Sequence, residues 1–370
     1  MNLLKDHPIL LLADRFPPLI GGMEVHAGAF LHYFKNHLRF PLKALISKAP
    51  HGDNILLKEN GSEPIAFETF SKTINPSLIF FNSGRWIEEM EILRSYFPQA
   101  QFIYRTGGNE ILKAPLEKRN IGGHAQRQHY WVKTLNTTLD LLITNSYFTT
   151  NRLRDVGIRC PMKICVGGVD ISLLTPSTSS HNHAVNYPIK LFCAARFVPY
   201  KNHALLISVI HALRLRGHDI HLILAGDGPL LQKIQEDVKI KELEKNVTFL
   251  GPLKNQEILK TLLESHFYIQ LSTDYPTDVP GGTYLHSEGM GRSFLEAISA
   301  GVFVIAANSG AISEIVTKER GLLVDLDHFE NLVLSIENIL QTPPHIPPPV
   351  DTYSWEKLFK GYEILFESLL

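Results

Sequence analysis

The chain has 370 residues, 44% of them hydrophobic and 20% charged, with a formal net charge of −1. That length is too great for one ordinary α/β domain and suits two. The near-neutral total excludes an electrostatic case for nucleic acid. The three cysteines, Cys160, Cys165 and Cys193, form no Cys-x-x-Cys pair, so neither a disulfide framework nor a thiolate metal site is expected, and a reducing cytoplasm fits. Residues 1–170 hold 20 Lys+Arg against 15 Asp+Glu, and the remainder holds 16 against 22. The basic first half leaves two readings open: uneven surface charge, or peripheral contact with an anionic membrane face or an anionic acceptor.

Short apolar runs alternate with helical patterns along the chain. In the first half, strands are expected at Ile9–Ala13, Leu42–Ser47, Ser77–Phe81, Phe102–Arg105, Leu141–Thr144 and Met162–Val166, with helices over Val25–His37 and Trp131–Leu139. In the second half, strands are expected at Ile189–Ala194, Ile220–Ala225, Val247–Leu250, Tyr268–Leu271, Val302–Ala306 and Leu322–Val324. The matching helices are His203–Leu215, Leu230–Val238 and Phe294–Ala300. Continuous apolar strands between helices indicate parallel sheets covered on both faces, hence two doubly wound α/β domains. Thr175–His183 is polar and aperiodic and reads as the linker. The expected domains are 1–180 and 188–350, and an amphipathic stretch over Trp355–Leu370, a terminal helix that could pack anywhere, follows them. No run approaches the ~18 apolar residues of a membrane span. The seventeen histidines show no ligand spacing, so no metal site is expected.

Four segments carry chemistry. In Ser287–Gly301 a glycine-rich turn opens a helix, and its amides favour anions. Glu288 precedes that turn and Glu296 follows it; if helical throughout, a separation of eight positions spans about 12 Å. Carboxylates there would accept hydrogen bonds from sugar hydroxyls. Ser293-x-x-Glu296 equally matches a capping box, in which Glu296 only satisfies a backbone N–H. In Ala194–Asn202, Arg196 and Lys201 follow a strand, where open α/β sheets bind ligands, and both could face a diphosphate. Gly226-Asp227-Gly228-Pro229 is a tight turn at another strand end, and Gly21-Gly22 after the first strand allow close backbone approach. Neither a Gly-x-Gly-x-x-Gly fingerprint nor a phosphate-loop motif is present, which argues against NAD.

Together these segments resemble the retaining glycosyltransferases of family 4, the group 1 glycosyl transferases, over nearly the whole chain. The resemblance rests on Gly21-Gly22, Gly167-Gly168-Val169-Asp170, Arg196 with Lys201, Gly226–Pro229, Asn246–Gly251, Glu288–Glu296, Gly301–Ala306 and Gly310–Ile315. It implies a GT-B fold, with two Rossmann-like domains facing across a cleft, the first completed by the terminal helix over Trp355–Leu370, and no cofactor beyond a nucleotide-diphosphate sugar as donor. It further implies that Glu288 and the amides of Gly289, Met290 and Gly291 meet the donor sugar, and that Glu296, beside Leu295, meets the ribose. Arg196 and Lys201 would grip the diphosphate. Gly226 and main chain near Leu250 would meet the rest of the nucleotide, and Gly21 and Gly22 the phosphates. The acceptor would be a glycan or polyprenol-linked molecule, with the enzyme in the cytoplasm or peripheral on the inner membrane face. The family's usual first-domain histidine is absent from Tyr104–Glu110, where Arg105 and Asn109 are the acceptor-side candidates, and its usual asparagine before Gly-Val-Asp is Gly167. Asp274, Asp278 and Gly281-Gly282 mark Ser272–His286 as a loop. The rival expectations are another GT-B enzyme, an epimerase or phosphorylase, and a non-catalytic nucleotide-sugar binder.

Overall fold

The computed structural model describes residues 7–13, 22–48, 56–59, 65–113, 124–172, 188–279, 282–344 and 348–370. The chain divides into two compact units. Unit 1 comprises Met1–Val166, Asp278–Tyr284 and Trp355–Leu370; unit 2 comprises Gly167–Thr277 and Leu285–Ser354. The boundary thus falls at Val166/Gly167, ahead of the segment read as a linker, whose residues 175–183 lie outside the described ones.

Unit 1 runs through β1 (Ile9–Ala13), α1 (Gly22–Phe34), β2 (Leu42–Lys48), β3 (Leu56–Glu59), β4 (Ile65–Ala66), α2 (Phe67–Ser71) and β5 (Leu78–Phe81). It continues with α3 (Met90–Tyr96), β6 (Gln101–Arg105), α4 (Asn109–Leu112), α5 (His124–Thr138), β7 (Leu141–Thr144), α6 (Tyr147–Asp155) and β8 (Met162–Ile164). The sheet order is β4-β3-β2-β1-β5-β6-β7-β8. The strands from β2 to β8 run parallel, and β3 and β4 add an antiparallel edge. All of Ile9–Ala13 is buried, as a central parallel strand covered on both faces requires.

In unit 2, β9 (Ile189–Ala194), α7 (His203–Leu215), β10 (Ile220–Ala225), α8 (Leu231–Ile240), β11 (Val247–Gly251), α9 (Asn255–Leu263) and β12 (Phe267–Gln270) follow one another. Next come β13 (Tyr275–Val279) and β14 (Gly282–His286), then α10 (Arg292–Ser299), β15 (Phe303–Ala307), β16 (Gly321–Val324) and α11 (Phe329–Gln341). The order β11-β10-β9-β12-β15-β16 is that of a doubly wound nucleotide-binding sheet, with its switch point between β9 and β12. The segment expected as a loop over Ser272–His286 holds instead the two-stranded sheet of β13 and β14. Its tip belongs to unit 1, where Tyr284 is 4% exposed in the core.

The last helix, α12 (Trp355–Glu367), belongs to unit 1. It buries Leu358, Phe359, Tyr362 and Phe366, one stripe of a 3.6-residue repeat, and leaves Ile364 71% exposed. Phe359 meets Phe30 and Phe34 of α1 at ring-centroid distances of 5.7 and 5.8 Å. Among the described residues no helix is long and apolar enough to cross a membrane.

α7 begins at His203, whose ring stacks on Phe197 at 4.2 Å and 17°. The imidazole is 3% exposed and neither ring nitrogen has a hydrogen-bond partner. Burial, with the Lys201 charge nearby, pushes its pKa down to about 4. The unfolded chain therefore takes up a proton near pH 6.5 that the fold refuses until about pH 4, so stability falls as pH drops through that interval. Replacement by phenylalanine keeps the stack and removes the titration. His203→Phe is expected to spare about 3 kcal/mol of the stability that the native chain loses between pH 6.5 and 4. Urea unfolding at the two pH values measures this; an equal loss in both proteins would refute it.

Candidate functional site

In unit 2, the loops after β9, β10 and β11 are stitched together by their backbones. Ala195 N–H donates to the Ala225 carbonyl (2.9 Å), Phe197 N–H to that of Asp227 (3.0 Å), and Gly226 N–H to that of Gly251 (2.8 Å). Gly226 has φ +138°, and a Cβ there would lie 2.1 Å from the Ala195 carbonyl oxygen. Its missing side chain thus answers to the Arg196 loop. The Gly-Asp-Gly turn is a platform on which that loop rests.

The loop bends through a single 3-10 turn, Pro199–Lys201, and Asn202 enters α7 in the left-handed region at φ 54°. Arg196 projects from it, exposed, and its side chain makes no hydrogen bond or ion pair among the described residues, while its carbonyl accepts from Val198 N–H at 2.9 Å. Lys201 points inward and its ammonium donates to a Glu288 carboxylate oxygen; the two side chains are 12% and 14% exposed. Burial works against the lysine's charge, but the Glu288 carboxylate more than offsets it, and the pKa is raised. Beside the pair, Tyr200 and His286 rings lie 3.7 Å apart.

Glu288 sits between β14 and α10. Its carbonyl accepts from Ala311 N–H at 2.8 Å, and Gly310, at φ +57°, has no room for a Cβ, which would come 2.4 Å from that oxygen. The Gly310-Ala311 turn after β15 therefore fixes the Glu288 main chain. α10 starts only at Arg292, with Gly291 as N-cap and no side-chain cap. Two expectations are corrected here. The segment from Glu288 is not helical throughout, so the 12 Å estimate does not apply. Glu296 is the fifth helical residue, out of reach of a capping box. Its carboxylate is 6% exposed and meets Arg292 Nε at 3.2 Å. Burial raises its pKa, Arg292 works the other way, and the Asp170 carboxylate adds to the rise. Asp170 is held in turn by accepting from Ser172 N–H at 2.9 Å.

The structure thus brings Lys201 and Glu288 into contact and sets Glu296 one turn along the helix from Arg292. Gly289 and Met290 are half-buried and form the bend ahead of α10. Leu295 is wholly buried and presents no side-chain surface, whereas Leu250 is 42% exposed at the end of β11. Among the described residues no three His, Cys, Asp or Glu side chains converge as metal ligands.

The acceptor-side candidates lie in unit 1. Gly21 falls outside the described residues; Gly22 is the exposed first residue of α1, where a Cβ would meet nothing within 4 Å. Arg105, at the end of β6, donates to the Met23 sulfur at 3.1 Å. Asn109 opens α4, and its Oδ1 accepts from the Tyr284 hydroxyl. Sequence reasoning missed the residue that shapes this loop. Glu110 accepts from Tyr104 OH (3.0 Å), Thr106 Oγ1 (2.7 Å) and Gly107 N–H (3.1 Å), tying the 104–110 turn into one piece. It also missed Asn82, 1% exposed at the end of β5, which donates to the Met23 carbonyl at 2.8 Å. A polar residue closing the apolar run Leu78–Phe81 was the available signal.

Residues 179–347 match the family model of glycosyl transferases group 1. The chain is similar to the GDP-mannose-dependent monoacylated alpha-(1-6)-phosphatidylinositol monomannoside mannosyltransferase of Corynebacterium glutamicum, 29% identical over 55% of either chain. It is also similar to the GDP-mannose-dependent alpha-(1-6)-phosphatidylinositol monomannoside mannosyltransferase of Mycolicibacterium smegmatis, 29% identical over 90% of both. The Mycobacterium tuberculosis counterpart is 33% identical over 40% of this chain and 37% of its own. The match thus spans about half or less of the Corynebacterium and M. tuberculosis relatives. In structure the chain resembles HepE of Anabaena in complex with UDP and glucose, with TM-score 0.69 and 18% identity over 98% of this chain and all of that one. Sucrose-phosphate synthase of Thermosynechococcus elongatus gives TM-score 0.67 and 17% identity over 98% and 99%. At those identities the two structures speak to the fold alone. The strand order of each unit and the likeness to these solved structures give the chain the GT-B fold, and residues 179–347 match the group 1 glycosyl transferases.

Proposed function

We propose that this protein is a retaining glycosyltransferase that moves a hexose from a nucleotide-diphosphate sugar to a lipid-linked glycan acceptor. The observation that carries the reading is the buried Lys201–Glu288 pair at the switch point of unit 2, next to the helix that bears Glu296. The names of the relatives support a GDP-sugar donor and a phosphatidylinositol-type acceptor. Arg196 and Lys201 would neutralise the diphosphate as it leaves, the main electrostatic task of such a transfer. Glu288 would accept from donor-sugar hydroxyls, and Glu296 from the ribose. In the proposed front-face displacement the C1–phosphate bond breaks as the C1–acceptor oxygen bond forms on the same face, and the acceptor's proton passes to the leaving phosphate oxygen. Charge neutralisation by two side-chain cations leaves no step that needs a divalent metal.

Four measurements test the assignment with GDP-mannose and UDP-glucose as donors and phosphatidylinositol monomannoside as acceptor. Glu288→Gln removes charge beside the reacting sugar and is expected to lower kcat by about a hundredfold while free GDP or UDP binds nearly as before. Glu296→Gln is expected to weaken binding of the free diphosphate by about tenfold. Normal turnover in the first and native affinity in the second would together sink the two-glutamate donor site. Arg196→Ala is expected to cost about 1.5–3 kcal/mol of nucleoside-diphosphate affinity, the scale of a charged hydrogen bond. Calorimetry with unchanged affinity would remove Arg196 from the site. Turnover should persist in saturating EDTA; complete loss restored by one divalent ion would contradict the metal-free mechanism.

A further inference from the structure

Two strands flank the switch point of unit 2. The loop after β9 supplies Arg196 and Lys201, whereas the end of β12 is so far without a role. That end is Gln270, an amide at 0% exposure among hydrophobic strands. A buried amide costs several kcal/mol unless it is hydrogen-bonded, and here it is. Its Oε1 accepts from Tyr268 OH at 2.7 Å and from Ser293 Oγ at 3.2 Å, and its Nε2 donates to Ser272 Oγ at 2.7 Å. The Tyr268 hydroxyl, itself fully buried, also lies 3.3 Å from the Ala194 carbonyl.

These partners belong to different elements. Ser293 is the second residue of α10, one turn ahead of Glu296, and Ala194 ends β9 two residues before Arg196. The amide therefore ties the first turn of α10 to β12, and through Tyr268 to the strand that launches the Arg196 loop. α10 is also seated by apolar side chains, Phe294, Leu295 and Ile298 among them, and its last turn is held where the Ser299 carbonyl accepts from Val350 N–H at 3.1 Å. Apolar burial is non-directional and does not fix a helix along its own axis, whereas a hydrogen bond does, and at the first turn of α10 Ser293 Oγ donates one to Gln270 at 3.2 Å. We propose that Gln270 is a positioning residue for the donor: it sets the N-terminal turn of α10 relative to the β9 loop, so that Glu296 and Arg196 address the same nucleoside diphosphate. The inference rests on the donor-site reading above.

The test uses the full chain with Gln270→Met, which keeps length and flexibility but neither donates nor accepts strongly, with Ser293→Ala, and with both together. GDP and UDP are titrated by calorimetry into each protein, and each is melted. Gln270→Met is expected to bind the diphosphate about tenfold more weakly, with Ser293→Ala similar. The double variant should be no weaker than the worse single one, because both changes break one linkage. Affinity of Gln270→Met within about twofold of native would overturn the proposal, and a lowered melting temperature beside that affinity would make the amide a core residue only. Fully multiplicative losses would also overturn it, since Gln270 would then not act through Ser293. If Gln270→Met does not fold, native affinity in Ser293→Ala suffices to reject the linkage. A native protein that binds neither GDP nor UDP would remove the donor-site reading, and this inference with it.

Discussion

Lys201 keeps its charge because Glu288 lies against it. Burial alone would drive the ammonium toward its neutral form; the carboxylate reverses that. Such a pair is poor glue, since the desolvation of two ions consumes most of their attraction, and well-packed apolar residues of the same volume often do as well. Removing one partner, however, strands a buried charge. The pair therefore constrains its surroundings more than it stabilises them: the β9 loop and the Glu288 turn must hold both groups together. In the proposed reading a bound donor relieves this constraint. Its diphosphate offers Lys201 a second anion, and its sugar hydroxyls offer Glu288 neutral donors.

The scaffolding follows from that demand. Gly310 and Ala311 hold the Glu288 main chain from one side, while Gly226 lets the Arg196 loop settle on the turn after β10. Each is a backbone-to-backbone contact too close for a side chain, the kind of support that leaves little freedom to the residue it carries. Gln270 adds a side-chain bond across the same switch point. Charged groups with weak intrinsic specificity are thus carried on strand ends whose relative positions are fixed by hydrogen bonds.

Much of this was legible in the residues. Ile9–Ala13, Leu141–Thr144, Ile189–Ala194 and Ile220–Ala225 are strands with the bounds read from the sequence, because a buried parallel strand is a continuous apolar run that little else imitates. The pair β13 and β14 escaped notice because Asp274, Pro276 and Gly281-Gly282 are turn formers, and their pairing outweighs that local preference. α9 and α11 were missed although their apolar stripes, through Leu259 and Leu262 and through Leu332, Val333, Ile336 and Leu340, keep the helical spacing. Glu288, Glu296, Arg196 and Lys201 could be picked out by residue type and motif. Which of them touch was not legible, since Lys201 and Glu288 lie 87 residues apart. Glu110, Asn82 and Gln270 carry no motif at all, and only their buried partners reveal what they do.

The two units apply one topological rule to different chemistry. In both, candidate groups stand at or just beyond the carboxyl ends of parallel strands: Asn82 after β5 and Arg105 at the end of β6 in unit 1, Arg196 and Lys201 after β9 in unit 2. Unit 2 adds two carboxylates, Glu288 ahead of α10 and Glu296 within it, and the four groups suit a charged diphosphate and the hydroxyls attached to it. Unit 1 offers at its strand ends the amides of Asn82 and Asn109 with a single cation, Arg105, whose guanidinium rests on the Met23 sulfur. Neutral amides discriminate hydroxyls by direction more than by charge. Of the two acceptor-side candidates in the stretch Tyr104–Glu110, which lacks the histidine usual in group 1 glycosyl transferases, Arg105 cannot serve as a base near neutral pH. In the proposed reading this is no obstacle, because the departing phosphate, and not a side chain of unit 1, takes the acceptor's proton.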